Sequence, residues 1–357
     1  MKKILEPLET KGSLDRLIIE NGKLQLGGWV ASTSLTAVDS FKVSIAGIET
    51  SEFELVYGLP RPDLKKHFPG LHNIERAGFR IQVPLSQEEP AIAPNSLITI
   101  TPLLKKQEGC ILLNLLNPTI PPPSEESISS IGGNIKIAFE FLGYFIQRVG
   151  LEPTDNVLDV GCGIGRMAYA LAHYLNSETK YEGFDITDKM LQWARQEITP
   201  RYPNFKFRLA DIYNKLYNPN GKVKVEEFNF PYQAESFDFT FLTSVFTHIQ
   251  GQGVRHYLNE IYRVLKPGGC CLCTCFLLNQ ESESLIKKGK SSQTFTHAFD
   301  DCFSNTPKVP EGSIAFKENL LRQWIIERGF TIEKVYYGNW CGRTDFVSYQ
   351  DIVILHK

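Results

Sequence analysis

The sequence predicts a small all-β sandwich domain followed by an α/β domain whose sheet is doubly wound in the Rossmann-like manner. Three observations predict this order: period-two apolar alternation in the first third of the chain, a proline-rich stretch near residue 121, and strand and helix patterns that alternate from there to the end. Alternating strands and helices form mostly parallel sheets with helices on both faces. A length of 357 residues also favours two domains over one.

The segments that predict the sandwich lie within residues 1–120. Apolar and polar side chains alternate in "KLQLGGWVAS" and "FKVSIAGIE", and "AGFRIQVPL", "SLITITPLL" and "GCILLNLL" follow after turns rich in Gly, Pro and Asn. Helical periodicity is nearly absent here. Residues 121–132 contain "PPPSEES" and predict a linker, stiff at first and polar afterwards.

The α/β pattern occupies residues 133–357. After a first helix, "IKIAFEFLGYFIQRVG", five strand patterns alternate with helical ones; the strands are "NVLDV", "YEGFDI", "FKFRLADI", "FDFTFLTS" and "GCCLCTCFLL". The last two strands, "TIEKVYY" and "QDIVILHK", have no helix between them, which predicts an antiparallel strand at the sheet edge. Residues 279–317 fit neither pattern and predict a long functional or disordered loop.

The composition narrows the class of protein. A hydrophobic content of 42% and a charged content of 22% are typical of soluble globular proteins. A net charge of −2 disfavours a nucleic-acid partner held by phosphate contacts. No apolar run reaches the roughly 18 residues of a membrane span. The N-terminus lacks the apolar core of a secretion signal, and 8 cysteines in a chain this long do not indicate a disulfide framework, so the expected location is the cytoplasm.

The cysteines of one predicted strand raise the question of a metal. The pattern "CCLCTC" over residues 270–275 lacks the C-x-x-C spacing of zinc sites. Buried cysteines behave as small apolar side chains. Core packing is therefore expected for them. Asp300 and Asp301 are adjacent carboxylates without a spaced partner, so no metal is predicted.

The stretch "VLDVGCGIGR" places Gly161, Gly163 and Gly165 where the first strand of the second domain gives way to a helix. Glycine carries the largest entropic cost of ordering, so three of them here predict close approach of the backbone to a ligand. Ligands of open α/β sheets bind beyond the carboxyl ends of the strands. The spacing is not the G-x-G-x-x-G of dinucleotide-binding loops, because Arg166 occupies the position of the last small residue; this disfavours an NAD-linked oxidoreductase.

This stretch resembles the first motif of the class I S-adenosylmethionine-dependent methyltransferases. The resemblance extends over about residues 150–357, where "YEGFDIT", "RLADI", "FDFTFLTSVFTHI" and "EIYRVLKPGGCCLCTCF" are similar to later motifs of that family. It implies S-adenosyl-L-methionine as the cofactor. The cofactor-binding residues that it implies are Asp159, Gly161, Cys162, Gly163, Gly165, Arg166, Asp185, Ile186, Asp211, Ile212, Thr243 and Ser244.

The resemblance implies different roles for these residues. The glycines let the backbone approach the methionine part of the cofactor, and Asp159 helps to hold its cationic amino end. Asp185 offers two acceptor oxygens to the ribose hydroxyls. Asp211 accepts from the adenine amino group, and the isoleucine after it packs on the ring. Thr243 and Ser244 lie near the sulfonium and its methyl group.

His248, in "SVFTHIQ" just past the fourth strand, is the predicted catalytic base, because a hydroxyl acceptor has to lose a proton. The alternative is a histidine that caps or packs the following helix. Three residues of the last loops are predicted to contact the acceptor. Trp340 and Tyr349 would stack on a sugar or aromatic ring, and Arg343 would hold an anionic group.

The first domain favours a saccharide acceptor. "GSLDRLIIENGKLQLGGWVAS", "GLPRPDL" and "AGFRIQV" are similar to small β-modules attached to bacterial glycan-modifying enzymes. The resulting hypothesis is O-methylation of a saccharide, glycolipid or related secondary metabolite. The alternatives are methylation of a phenol, carboxylate, nitrogen or carbon of another small molecule, and a cofactor-binding protein without transfer activity. The sandwich itself could instead serve only dimerisation, giving a homodimer, or docking.

Overall fold

A computed structural model describes residues 7–33, 36–68, 71, 73–85 and 92–357. They form two compact units. The first comprises Lys2–Leu151 with Tyr169–Tyr174, and the second comprises Glu152–Ala168 with Leu175–Lys357. Residues 1–6, part of the N-terminus in which no secretion signal is expected, lie outside the described residues. No helix in the described ranges is long and apolar enough to cross a bilayer.

The first unit contains two antiparallel sheets that share one core. One sheet has the strand order β1-β2-β6-β5, and the other has the order β4-β3-β7-β8 with β9 also paired to β7. Leu24, Leu26 and Ile81 of the first sheet and Ile98 and Ile100 of the second are fully buried in the same cluster, so the predicted sandwich is confirmed. The strands are β1 (Thr10–Glu20), β2 (Lys23–Ser32), β3 (Ser40–Ile45), β4 (Ile48–Thr50), β5 (Glu54–Leu59), β6 (Gly78–Pro84), β7 (Ser96–Leu104), β8 (Gln107–Glu108) and β9 (Leu112–Leu116).

The described part of this unit also contains α1 (Pro62–Lys65), a 3₁₀ turn (Ile74–Arg76), α2 (Glu125–Ser130) and α3 (Lys136–Tyr144), the last of which continues as one π-helical turn to Val149. The π turn is fixed to the sandwich. Gln147 accepts from the Ile111 amide at 2.8 Å and donates to the Gly109 carbonyl at 3.0 Å. The buried Arg148 pairs with Glu9 at 2.9 Å. Because these bonds hold α3 to the sandwich, the division between the units falls at Leu151, after the predicted linker 121–132.

The second unit is the predicted doubly wound sheet. Its strand order is β12-β11-β10-β13-β14-β20-β19, and the first five strands of that order are parallel. The order reverses between β10 and β13, the position at which open α/β sheets bind ligands. The elements of the sheet are β10 (Val157–Val160), α4 (Arg166–Leu171), β11 (Tyr181–Asp185), α5 (Asp188–Trp193), β12 (Phe205–Leu209), β13 (Phe237–Leu242), α6 (Gly251–Val264), β14 (Leu265–Cys275), α8 (Glu318–Glu327), β19 (Thr331–Tyr336) and β20 (Asp351–His356).

The last two strands pair antiparallel at one edge of the sheet, as predicted, but the strand that runs against the parallel strands is β20, one place in from the edge. β20 pairs antiparallel with both β14 and β19, and β19 forms the edge. The side chains explain this order. Five consecutive residues of β20 are buried, as in a central strand, whereas β19 is largely exposed. A missing crossover helix fixes the direction of a strand but not its place in the sheet.

Residues 279–317 are ordered and not a loop. They contain α7 (Gln280–Lys287), β16 (His297–Phe299), β17 (Cys302–Ser304) and β18 (Ile314–Lys317). With β15 (Leu277–Leu278) these strands form a small sheet of order β15-β18-β17-β16. Phe276, Leu278 and Phe295 form a buried cluster with Ala315 of β18. Strands of two to four residues are too short to show an alternating pattern, which explains why the sequence suggested a loop.

Candidate cofactor and active site

The glycine loop after β10 has a left-handed backbone conformation at all three glycines. Gly161, Gly163 and Gly165 have φ angles of 76°, 53° and 80°, a region that favours glycine. A Cβ on Gly161 would lie 2.4 Å from Val245 Cγ2, and one on Gly165 would lie 2.7 Å from Ala194 Cβ. A Cβ on Gly163 would meet nothing within 4 Å. The outer glycines therefore allow packing against protein, whereas Gly163 faces open space.

Asp159, the third residue of β10, is buried and half-satisfied. Its Oδ2 accepts a 2.6 Å hydrogen bond from the Tyr181 hydroxyl, while Oδ1 is buried without a partner among the described residues. Burial raises the pKa of Asp159 to about 8; the bond from Tyr181 opposes this rise, and the neighbouring Asp185 carboxylate adds to it. A buried, unpartnered carboxylate oxygen is the acceptor that a cationic ligand group requires.

Asp185 ends β11 and binds the glycine loop directly. Its Oδ2 accepts from the Gly163 amide at 2.9 Å, and its Oδ1 accepts from the Thr187 amide at 3.0 Å. Burial raises its pKa, and these amide bonds oppose the rise. A carboxylate has about four acceptor sites, so each oxygen keeps one for a ligand hydroxyl.

The residues that flank these groups have mixed surroundings. Cys162 is buried, and burial raises the pKa of its thiol well above the ordinary value. Arg166 is the first residue of α4, and Ile186 is partly buried against the core.

The end of β12 lies beside Asp185, because the Ala210 amide donates to the Asp185 carbonyl at 2.9 Å. Asp211 follows on the surface, where its Oδ1 accepts from the Lys222 amide at 3.3 Å. Ile212 is buried in the main core, so its side chain packs inward.

Thr243 and Ser244 follow β13. Ser244 has a φ of 62°, and its amide donates to the Thr274 hydroxyl at 2.8 Å. Its own hydroxyl donates to Gln350 Oε1 at 3.1 Å. Thr243 is partly buried. The two residues thus lie at the carboxyl end of the strand next to β10, where the strand order reverses.

His248 ends a short 3₁₀ turn, Phe246–His248, that follows Val245, the residue packed on Gly161. Its Nδ1 lies 2.7 Å from the Glu311 carbonyl oxygen. A carbonyl can only accept, so Nδ1 carries the proton and Nε2 carries the lone pair. Burial lowers the pKa of His248, and the contact with Glu311 opposes the decrease. The ring is therefore neutral near pH 7, with Nε2 able to accept a proton.

Comparison with known proteins agrees with this geometry. Residues 151–329, half of the chain, match a family model described as a methyltransferase domain. The chain belongs to the S-adenosylmethionine-dependent methyltransferases.

Individual relatives of this methyltransferase are distant. A segment of 140 residues is 27% identical to phosphoethanolamine N-methyltransferase 3 of Arabidopsis thaliana and covers 39% of this chain and 25% of that enzyme. A segment of 158 residues is 30% identical to the demethylmenaquinone methyltransferase of Listeria monocytogenes serotype 4a (strain HCC23) and covers 42% of this chain and 56% of that enzyme. The matches thus span about a quarter to about half of these relatives' lengths. An S-adenosylmethionine-dependent methyltransferase from Mesorhizobium loti superposes with a TM-score of 0.41 at 16% identity, covering 59% of this chain and 95% of that one.

The residues of this methyltransferase fit the family's cofactor. The cofactor carries an ammonium group, two ribose hydroxyls and an adenine. The unpartnered Asp159 Oδ1 suits the ammonium, and the open side of Gly163 leaves room for it beside the backbone. The remaining acceptor sites of Asp185 suit the hydroxyls. Asp211 is exposed and can accept from an amino group.

Sequence reasoning missed three residues of the site. Tyr181 orients Asp159, Glu311 fixes the tautomer of His248, and the ring of Tyr217 meets that of His248 edge-on at 5.1 Å. The sequence contains one indication of the role of Tyr181. Gly183 lies inside β11 opposite Asp159, and a Cβ there would lie 3.0 Å from Cys162 Cβ and Sγ and 3.3 Å from Tyr181 Cε1, so this glycine makes room for both side chains.

The residues expected to contact the acceptor have different surroundings. Trp340 is fully buried and donates from Nε1 to Asp351 Oδ2 at 2.8 Å, so its ring has no exposed face for stacking. Arg343 is also buried and pairs with Asp351 at 3.2 Å and with Glu281 at 2.7 Å. The structure gives both a structural role. Tyr349 is exposed, and its hydroxyl lies 3.0 Å from the Ser292 hydroxyl.

The predicted cysteine strand and the acidic pair show no metal-like geometry. Cys271, Cys273 and Cys275 lie in the main core. Asp301 pairs with Arg255 at 2.6 Å. In the described part of the chain no group of three or more His, Cys, Asp or Glu side chains is arranged to hold a metal ion.

Proposed function

We propose that this protein transfers the methyl group of S-adenosyl-L-methionine to an oxygen of a small-molecule acceptor, and that the acceptor is a saccharide, glycolipid or related secondary metabolite. The cofactor, when bound, supplies the methyl group. The observation that carries the proposal is the state of His248: a neutral ring whose Nδ1 is committed to the Glu311 carbonyl, on a turn packed against the glycine loop. A hydroxyl acceptor needs such a base, whereas alignment supplies the rest of the rate increase.

The residues proposed to surround the cofactor have different roles. Asp159 and Asp185 hold the charged and hydroxyl-bearing ends, and Gly163 leaves space between them. His248 Nε2 accepts the hydroxyl proton, and Glu311 keeps the ring in the tautomer that can do so. Tyr217 covers one side of the imidazole and limits its rotation.

Methylation of nitrogen is the second candidate. It is supported by the presence of a phosphoethanolamine N-methyltransferase among the relatives. An amine acceptor also has to be deprotonated, so His248 would act in the same way. The proposal of a saccharide acceptor rests on the resemblance of the first unit to glycan-associated β-modules. The proposal of an amine acceptor rests on the similarity to the phosphoethanolamine N-methyltransferase.

A radiolabelled methyl-transfer panel separates the two. The purified chain is incubated with labelled cofactor and with neutral saccharides, a phenol, phosphoethanolamine and a demethylmenaquinone analogue. Label in a saccharide supports the first candidate, and label in phosphoethanolamine supports the second. Cofactor binding without label in any acceptor would favour a cofactor-binding protein without transfer activity.

We also propose a cytoplasmic location, which the eight free cysteines support because thiols persist in reducing compartments. A homodimer would follow if the sandwich serves dimerisation, and light scattering of the purified chain tests this.

A further inference from the structure

The first unit contains a pocket that is lined by three arginines. It has a volume of about 220 Å³, and Arg16, Arg61 and Arg80 lie on its walls. All three belong to the sandwich unit. The volume is below the roughly 300–1,000 Å³ of sites for drug-sized ligands, so the pocket suits one small group.

The strand register places two of the arginines on either side of a glycine. Arg16 of β1 lies opposite Gly27 of β2, and Gly27 lies opposite Arg80 of β6. Directly opposed residues of antiparallel strands project from the same face, and neighbouring strands lie about 4.8 Å apart. Arg16 and Arg80 therefore leave the same face about 10 Å apart, with the side-chain-free Gly27 as the floor between them.

Two β-bulges shape the walls of this pocket. In β1 the register shifts between Leu14 and Arg16, which leaves Asp15 as the extra residue. In β5 it shifts between Tyr57 and Leu59 at Gly58, whose φ is 84°. Bulges bend a strand and redirect its side chains. These two bulges lie on the two edge strands of the sheet, one on each side of the pocket.

The third arginine is neutralised by protein groups. Arg61 donates to Asp15 Oδ2 at 2.9 Å and to Asp63 Oδ2 at 2.8 Å, and Asp15 Oδ1 also accepts from Lys136 at 2.9 Å. Arg61 is therefore a fixed wall. Asp15 and Asp63 are thus directed at Arg61 and Lys136, and neither forms an ion pair with Arg16 or Arg80 in the described structure.

Arg16 and Arg80 keep most of their charge available. The contact of Arg16 with Glu20 is 3.5 Å long, and both side chains are more than half exposed, so the pair is weak. Its contact with Gln25 is 3.4 Å. Arg80 is exposed and forms no ion pair within the ranges that the structure describes. Two such guanidinium groups around one cavity match the geometry of an oxyanion.

We propose that this pocket binds the carboxylate or phosphate of a small organic ligand, as a second binding site separate from the methyl-transfer site. Arg16 and Arg80 hold the anionic group, and Leu59 and Pro60 contact the carbon skeleton. The site does not depend on the cofactor or on the acceptor proposed above.

Calorimetric titration of the full chain tests the site with four probes: inorganic phosphate, glucose 1-phosphate, glucuronate and neutral glucose. Saturable binding of an anionic probe without binding of glucose is expected. Binding of the phosphates alone identifies a phosphate ester as the natural group, and binding of glucuronate alone identifies a carboxylate. No saturable binding of any anion, or equal binding of glucose, overturns the proposal.

Three variants locate the binding. Arg80→Gln removes one guanidinium from an exposed position and should weaken anion binding by roughly tenfold or more. Gly27→Leu fills the floor, since a Cβ there meets only Arg16 side-chain atoms and a carbonyl at 3.4 Å or more. Arg76→Gln, an exposed arginine of the same unit outside the pocket, is the matched control.

The variants decide the outcome even if one of them folds poorly. Arg80→Gln changes only an exposed side chain, so its result stands if Gly27→Leu is unstable. Equal losses in Arg80→Gln and Arg76→Gln would mean nonspecific charge attraction and would overturn the site. Affinity for S-adenosyl-L-methionine, measured on the same samples, should be unchanged in all three, which separates this site from the proposed methyl transfer.

Discussion

The hydroxyl of Tyr181 donates a 2.6 Å hydrogen bond to one oxygen of Asp159, and the other oxygen of that carboxylate is buried without a partner in the described structure. The bond from Tyr181 orients the carboxylate, and the second oxygen can accept a hydrogen bond from a ligand. Without a ligand, burial raises the pKa of Asp159 to about 8. A ligand ammonium at Oδ1 would favour the charged form and lower that pKa. Cofactor binding and deprotonation of Asp159 are therefore linked.

The first prediction is proton release on cofactor binding. At pH 7 Asp159 is mostly protonated, because its pKa is about 8, so binding of a cationic group should release close to one proton. Calorimetry of S-adenosyl-L-methionine binding in two buffers with different ionisation enthalpies measures this number. Asp159→Asn should bind more weakly and release none. Equal proton release from Asp159→Asn would show that another group is responsible.

The second prediction concerns stability against pH in the cofactor-free protein. The folded-state pKa of Asp159 is raised above its unfolded value of 3.8. Its contribution to the free energy of unfolding is therefore fully present below pH 4 and is lost as the pH rises to about 8. The wild type should therefore lose up to a few kcal/mol relative to Asp159→Asn between these limits. Urea unfolding at several pH values measures the difference. A constant difference from pH 4 to pH 8 would contradict the raised pKa.

The third prediction separates two glycines of the loop. Gly163→Ala adds a methyl group in open space at a φ of 53°, so it should cost only about 1 kcal/mol of stability but weaken cofactor binding at least tenfold. Gly165→Ala brings a Cβ to 2.7 Å from Ala194 and should lower the melting temperature by several degrees. Thermal unfolding and cofactor titration are measured on both. Normal cofactor affinity of a folded Gly163→Ala variant would mean that the cofactor does not bind at this loop.

The fourth prediction tests the base. His248→Asn should lower kcat by roughly 10²–10⁴ with cofactor affinity nearly unchanged. Because burial lowers the pKa of His248 below 6.5, kcat of the wild type should fall only on the acidic side of that value. Steady-state kinetics with the acceptor found in the panel measures both. His297→Asn, on β16, is the control. Unchanged turnover of His248→Asn would assign the histidine to packing.

The fifth prediction concerns the buried network under the last loop. Asp351 binds the Arg343 guanidinium, the Trp340 indole and the Gly338 and Leu277 amides. Asp351→Ala leaves Arg343 buried without this partner and should cost about 3–5 kcal/mol. Tyr349→Phe, at an exposed neighbouring position, should change stability by less than about 0.5 kcal/mol. Similar unfolding midpoints for the two variants would contradict the structural role of the network.

Features that depend on nearby residues could be predicted from the sequence. The glycine loop, the strand-terminal Asp185 and the parallel strands each rest on a short local pattern, and the structure has them where the pattern indicated. Features that depend on distant residues could not. Tyr181 reaches Asp159 from the neighbouring strand, 22 residues along the chain, and Glu311 comes to His248 from 63 residues away.

The aromatic and charged residues of the last loop show a second limit. Trp340 and Arg343 have the composition of a ligand-binding surface, and the same residue types also form buried networks. Only the position of Asp351, whose carboxylate binds both, distinguishes the two cases. The sequence places Asp351 eleven residues after Trp340 and does not reveal that their side chains meet.

The insertion of β20 between β14 and β19 has a consequence for the order of assembly. In the described sheet β19 pairs with β20 and with no other strand, and β14 meets β20 through a register that joins Cys275 to Asp351. Until residues 351–356 are in place, the cysteine-rich β14 has an open edge and β19 has no neighbour. Before residues 351–356 are added, β14 has a long unpaired apolar edge of the kind that favours aggregation, and a chaperone or rapid translation of these residues would shorten that stage.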